Sequence, residues 1–241
     1  MITKTWKEVE SEVTEDTVAI IPVGSIEQHG LHAPLGTDYF IADNLSKIVK
    51  NYENTLLIPP IPIGVADYHR HFSGSLWVKP ETFKNYISEI IESMYFHGIK
   101  KVIFVNGHGG NREPLREVAR HLEMEKDIKT IVWTWFESIE KEITNIFNFR
   151  PPFHASEAET SMLLNFTPQF IIKDNYLKSA EGSSNEWGKY YEGTIVSQEV
   201  RDFSQSGATG NPVNTDPEKG ERMLELAGKN LKKLVDYVSS L

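Results

Sequence analysis

The chain has 241 residues and carries 34 acidic against 25 basic side chains, a formal charge of -9, with no cysteine. Without thiols there are no disulfides, zinc fingers, iron–sulfur clusters or cysteine nucleophile, so a bound metal must be held by histidine and carboxylate. The acidic balance opposes nucleic acid and anionic membrane, and with no leader-like or membrane-length apolar run the composition predicts a soluble, cytoplasmic protein.

In chain order, Val18-Ala19-Ile20-Ile21-Pro22-Val23 predicts a buried strand that stops at Gly24. Asp38 stands before a predicted helix over 39–49, where an aspartate can serve as the cap. A second strand is expected over 56–63, broken up by its prolines. Phe83, Tyr86, Ile87, Ile90, Ile91 and Met94 recur at three- and four-residue steps, which predicts a helix over 80–97 closed by Gly98. Val102-Ile103-Phe104-Val105 gives a strand over 101–106, which leads through Gly107-His108-Gly109-Gly110 into a helix with Leu115, Val118, Ala119 and Leu122 on its inner face. A strand over 130–135, a helix over 156–165 and a long amphipathic helix from Pro217 onward complete the regular elements, while 178–214 is the least regular stretch. The alternation predicts an α/β fold, a single three-layer α/β/α domain over 1–241 with a mainly parallel sheet and right-handed crossovers.

Ligands of a parallel sheet bind beyond the carboxyl ends of its strands, and two polar loops follow such ends. In the first, Gly24-Ser25-Ile26-Glu27-Gln28-His29-Gly30, alternation sends Glu27 and His29 into one cleft and Gln28 away from it, with Asp38 eleven residues after Glu27. The second, Asn106-Gly107-His108-Gly109-Gly110-Asn111, leaves the His108 imidazole unobstructed. Glu27, His29, Asp38 and His108 form a mixed nitrogen and oxygen donor set that suits zinc, manganese or ferrous iron, and its excess of carboxylate fits two ions sharing a bridge better than one zinc. Taken singly, each residue has a plain structural use. In a third cluster, Phe153-His154-Ala155-Ser156-Glu157-Ala158-Glu159, Ser156 and Glu159 have the form of a helix capping box. The alternative is that Glu159 supplies a last carboxylate to the metals and His154 a proton shuttle. Dinucleotide, phosphate-loop, His-Glu-x-x-His and Gly-x-Ser-x-Gly motifs are absent or fail in spacing.

Together, Pro22-Val23-Gly24-Ser25-Ile26-Glu27-Gln28-His29-Gly30, Leu35-Gly36-Thr37-Asp38, the Asn106 to Asn111 loop, the Glu157-Ala158-Glu159-Thr160-Ser161 helix start and Ser206-Gly207-Ala208-Thr209-Gly210-Asn211-Pro212 resemble the creatininase family, in the same order and over nearly the whole chain. The resemblance implies an amidohydrolase with two divalent ions per chain, Zn, Fe(II) or Mn, acting on a small-molecule amide. It makes Glu27 and His108 ligands of one metal, His29 of the other and Asp38 the bridge, with His69, Asn106, Gly109 and Gly110 in substrate binding. Activated water between the ions is expected to attack the amide carbon while His154 protonates the leaving nitrogen. Gly110 and Phe153 stand where creatinine hydrolases carry glutamates, which argues against creatinine and makes Glu159 the replacement ligand. The Gly-His-Gly-Gly-Asn form is similar to deformylases that release formate from a formylaminopyrimidine ribonucleotide in flavin and deazaflavin biosynthesis, and to peptidases that trim a redox-cofactor precursor. A homo-oligomer is also implied, with Phe147-Asn148-Phe149 as core or interface. A non-catalytic metabolite- or metal-binding protein on this fold is the reading from another class.

Overall fold

The structure is a computed structural model that describes residues 1–147 and 153–241. Strands β1 (Val18–Val23), β2 (Thr55–Leu57), β3 (Lys101–Asn106) and β4 (Lys129–Thr134) form a parallel sheet in the order β2-β1-β3-β4. The helices are α1 (Trp6–Glu12), α2 (Thr37–Lys47), α3 (Pro80–Phe96), α4 (Arg112–Lys126), α5 (Trp135–Ser138), α6 (Glu140–Phe147), α7 (Glu157–Phe166), α8 (Tyr176–Glu181) and α9 (Pro217–Ser239). A separate antiparallel hairpin, β5 (Lys189–Tyr191) and β6 (Thr194–Ser197), lies within the stretch that sequence patterning left irregular.

The strand pleat sorts the core into two halves. Val18, Ile20, Ile103 and Val105 pack with Ile41 and Leu45 of α2, Met162 of α7 and Met223 and Leu231 of α9. Ala19, Ile21, Val23, Val102 and Phe104 turn the other way, onto Phe83 and Ile87 of α3 and Leu115 and Val118 of α4. This is the expected three-layer α/β/α arrangement. Because β1 lies between β2 and β3, the order of the sheet reverses at the β1/β3 pair, and the crevice beyond their carboxyl ends is where such sheets bind ligands.

Several expectations are corrected. β2 stops at Leu57 because Pro59, Pro60 and Pro62 offer no N–H to a ladder, and pairing resumes only as an isolated bridge between Val23 and Ile61. Asp38 does not cap α2: Gly36 is the N-cap, and Asp38 sits inside the first turn. Helix α1 buries no residue and so leaves no apolar stripe in the sequence, although Thr5 and Glu8 form a capping box at its start. Of the 147–149 segment, Asn148 and Phe149 lie outside the described residues, while the Phe147 side chain packs against the α2/α7/α9 side of the core. Among the described residues no helix is long and apolar enough to cross a membrane.

Candidate metal centre

Five acid and imidazole side chains converge in the β1/β3 crevice. Glu27 and His29 leave the end of β1, Asp38 comes from the first turn of α2, His108 from the loop after β3 and Glu159 from the first turn of α7, and all are buried. Burial of so many ionisable groups is costly unless each is matched. Yet Glu27 Oε1, Asp38 Oδ2 and His29 Nε2 are buried without a hydrogen-bond partner.

Main-chain contacts set the imidazole tautomers. His29 Nδ1 lies 3.1 Å from the Glu27 carbonyl, which can only accept, so the ring proton sits on Nδ1 and the Nε2 lone pair faces Asp38 Oδ1 at 3.2 Å and Glu159 Oε1 at 3.9 Å. His108 donates from Nε2 to the Val65 carbonyl at 2.9 Å, so its Nδ1 lone pair faces Glu27 Oε2 at 3.0 Å and Asp38 Oδ2 at 3.1 Å. Lone pairs set against carboxylate oxygens repel unless a cation lies between them, either a proton or a metal ion. With protons alone, the carboxylates drive both rings toward imidazolium: burial lowers the His29 pKa, but Asp38, Glu159 and Glu27 outweigh it and raise it to about 9. His108 is likewise raised by Glu27 and Asp38 against its burial. Glu27 is held well below the usual carboxylate range because His108 and His69 outweigh its burial, whereas burial lifts Glu159 to about 7.

The donor atoms group into three sets of metal-ligating size: Glu27, Asp38 and His108; His29, Asp38 and Glu159; and Glu27, His29 and His154. The first two share Asp38. Nitrogen and carboxylate oxygen in such trios suit zinc, manganese or ferrous iron, and the orphaned buried atoms point into them, so the residues fit a pair of divalent ions.

The cap and ligand roles of Glu159 turn out to be compatible. Its Oε2 accepts from the Ser156 N–H at 3.1 Å, completing the cap, while Oε1 faces His29. Gly110 has no room to carry a side chain: a Cβ there would lie 2.1 Å from the Val65 carbonyl and 2.6 Å from the Tyr68 hydroxyl, which itself lies 3.1 Å from His108 Nε2. His154 reaches the crevice on an isolated bridge to Thr209, with Nδ1 at 3.6 Å from Glu27 Oε1. Burial, with His29 and His69 beside it, holds its pKa well below 6.5, so the resting ring is neutral.

A cavity of about 440 Å³ opens over this cluster, lined by Gly109, Gly110, Tyr68, Phe136, Phe153, Trp187 and Arg112 among others. Two residues expected to meet substrate do not line it. Asn106 is spent inside its own loop, donating to the His108 carbonyl at 2.8 Å and to Thr134 Oγ1 at 3.2 Å. His69 stands behind Glu27, with Nε2 at 3.2 Å from Oε1. Tyr68, Trp187 and Arg112 also line it; Tyr68 and Arg112 adjoin His69 and the Asn106 to Asn111 loop in sequence, whereas only the fold brings Trp187 there.

The family profile described as creatininase, creatinine amidohydrolase, matches residues 3–235. The chain belongs to the creatininase family. It is 32% identical over 164 residues to a mycofactocin precursor peptide peptidase of Mycobacterium ulcerans (strain Agy99), covering 64% of this chain and 60% of that protein. It is 32% identical over 181 residues to a 3-dehydro-scyllo-inosose hydrolase of Thermotoga maritima (strain ATCC 43589 / DSM 3109 / JCM 10099 / NBRC 100826 / MSB8), covering 71% and 57% respectively. The chain therefore spans about three fifths of the length of these relatives. In fold it is similar to a mutant creatininase complexed with creatine, with a TM-score of 0.84 at 21% identity over 99% of this chain and 98% of the other. A Zn-Zn form of creatininase gives a TM-score of 0.82 at 21% identity, covering 98% and 96%.

Proposed function

We propose that this chain is a metal-dependent amidohydrolase that cleaves a C–N amide bond of a small molecule. The observation that carries the reading is the pair of buried donor trios joined through Asp38, one with Glu27 and His108 and the other with His29 and Glu159. Two divalent ions held there would supply Lewis acidity that activates water and polarises a carbonyl. The named family and the zinc-bearing fold neighbour support the same chemistry.

The chain's own groups supply orientation and proton transfer. Ser25 Oγ donates to Glu27 Oε2 at 2.7 Å and the Val65 carbonyl fixes the His108 ring, so both ligand atoms are aimed before anything binds. His154, neutral with its lone pair on Nδ1, is set to take a proton from water there and return it to the leaving nitrogen, a shuttle rather than an acid that is charged at rest. Tyr68, Phe136, Phe153 and Trp187 wall the cavity and keep bulk water from the amide.

For substrate, our lead is the formylaminopyrimidine ribonucleotide, with formate as product. Aromatic walls suit a planar base, and Arg112, the one Lys or Arg among the described cavity-lining residues, is bonded to Glu137 Oε1 at 2.8 Å, so an anionic group of the substrate would have to compete with that carboxylate for it. The identity to a peptide peptidase favours a peptide amide as the second reading. Formate, amine and creatine release should be followed on a formylaminopyrimidine ribonucleotide, a small peptide and creatinine at equal zinc load. Formate is expected fastest. Faster creatine release rules out the lead, faster amine release favours the peptidase, and no turnover of any substrate by a metal-loaded chain favours the binding protein. Light scattering reads the expected homo-oligomer.

A further inference from the structure

Gln28, in the first polar loop, points away from Glu27 and His29 as strand alternation predicts, but the side it points to is not idle. Its side-chain amide is buried in the middle of three loops. Oε1 accepts from the Gly30 N–H at 2.9 Å, and Nε2 donates to the Gly207 carbonyl at 2.9 Å, which together fix which end of the amide is nitrogen. Nε2 also lies 2.8 Å from His69 Nδ1 and 2.9 Å from His154 Nε2. The loop at Gly207 is moulded around this group: its φ is +83°, and a Cβ there would fall 2.0 Å from Gln28 Oε1.

An amide nitrogen has two hydrogens, and Gly207 takes one. His154 Nε2 sits 2.6 Å from the Gln28 main-chain carbonyl, so His154 Nε2 must carry a proton and donate it there. It cannot also accept from the amide, and the second amide hydrogen therefore goes to His69 Nδ1. Both tautomers follow. His69 carries its proton on Nε2, the atom 3.2 Å from Glu27 Oε1, while His154 is left with a lone pair on Nδ1, 3.6 Å from the same oxygen.

We propose that Gln28 is a positioning residue whose one residue, through side-chain amide and main-chain carbonyl, sets the tautomers of His69 and His154, turning a proton donor and a basic nitrogen toward Glu27. The His69 N–H stands 3.2 Å from Glu27 Oε1 without hydrogen-bond geometry, so it steadies that oxygen by its dipole alone, and the basic nitrogen is the one that His154 needs for proton transfer. The catalytic consequence rests on the amidohydrolase reading; the tautomers themselves do not.

The test is long-range ¹H–¹⁵N correlation NMR of the imidazoles in the metal-free and zinc-loaded protein, for wild type, Gln28→Glu and Gln28→Met. In the wild type both His69 and His154 should show the Nε2–H pattern. Glutamate keeps the shape but replaces the donor with an acceptor, so in Gln28→Glu the His69 proton should move to Nδ1 while His154, held by the main-chain carbonyl, stays Nε2–H. In Gln28→Met, His69 should show mixed tautomers. Turnover in both variants should fall by about 10- to 100-fold, the usual cost of losing a partner behind a metal ligand, with KM changing less than kcat. A wild-type spectrum with His69 as Nδ1–H or as a mixture overturns the proposal, as does Gln28→Glu with His69 unchanged. The wild-type spectrum decides even if a variant fails to fold. Because the metal-free spectrum is read without any ion, a failure here is distinct from a failure of the metal reading, which elemental analysis decides.

Discussion

His29 and His32 are three residues apart, both buried, and their chemistry diverges completely. His32 is bracketed by neutral hydroxyls, with Nδ1 at 3.1 Å from Ser179 Oγ and Nε2 at 2.9 Å from Thr160 Oγ1, and burial, helped by His29, lowers its pKa to about 4. His29 has one nitrogen satisfied by a carbonyl and the other turned on carboxylates, and its pKa rises to about 9. Burial alone does not separate a structural histidine from a ligand. What separates them is whether the second nitrogen meets a group that can satisfy it. His32 braces α7 against the loop after β1, whereas His29 needs a cation.

Variants can break that contrast, beginning with the most severe. Asp38→Ala removes the carboxylate common to both trios and should take the chain from about two bound ions to none, with loss of activity, by elemental analysis and turnover. His154→Ala should keep both ions and slow turnover by about 10² to 10⁴, the usual worth of a positioned acid or base. Glu159→Gln should cost one ion and most of the turnover while stability falls by no more than about 1 kcal/mol, because glutamine still completes the cap. Unchanged metal content in that variant would reduce Glu159 to a cap.

The mildest expected effect lies on the other side of the comparison. The folded pKa of His32, about 4, is below its unfolded value of about 6.5, so its contribution to stability is complete above pH 6.5 and is lost as pH falls toward 4. The loss amounts to at most about 3 kcal/mol. His32→Gln should flatten this part of the acid limb, measured as the difference between wild-type and variant denaturant midpoints at pH 7.5 and 4.5 in metal-free protein. Metal content should not change.

What the sequence made legible follows from how local each signal is. β1 and β3 carry uninterrupted apolar runs, and their bounds matched, whereas proline cut β2 short and the exposed tyrosines of β5 gave no buried pattern to read. Glu27, His29, Asp38 and His108 stood out because short polar loops follow predicted strands, and the fold brings all four together with Glu159. His69 and Asn106 do not line the cavity, because their side chains are taken up by neighbours, Asn106 by the His108 carbonyl and His69 by the Gln28 amide, contacts that spacing in sequence does not show. Trp187 and the partners of Gln28 depend on contacts across up to 179 positions of chain, which no local pattern encodes.

The claim that unsatisfied lone pairs at His29 and His108 call for two cations is tested most directly by calorimetric titration of metal-free protein with zinc at pH 7, in buffers of different ionisation heat. Zinc must displace the protons that the carboxylates hold on both imidazoles, and any proton on Glu159, whose pKa burial raises to about 7. The account predicts about two ions bound per chain with release of roughly two to three protons. Binding of one ion or none, or binding without proton release, would contradict it.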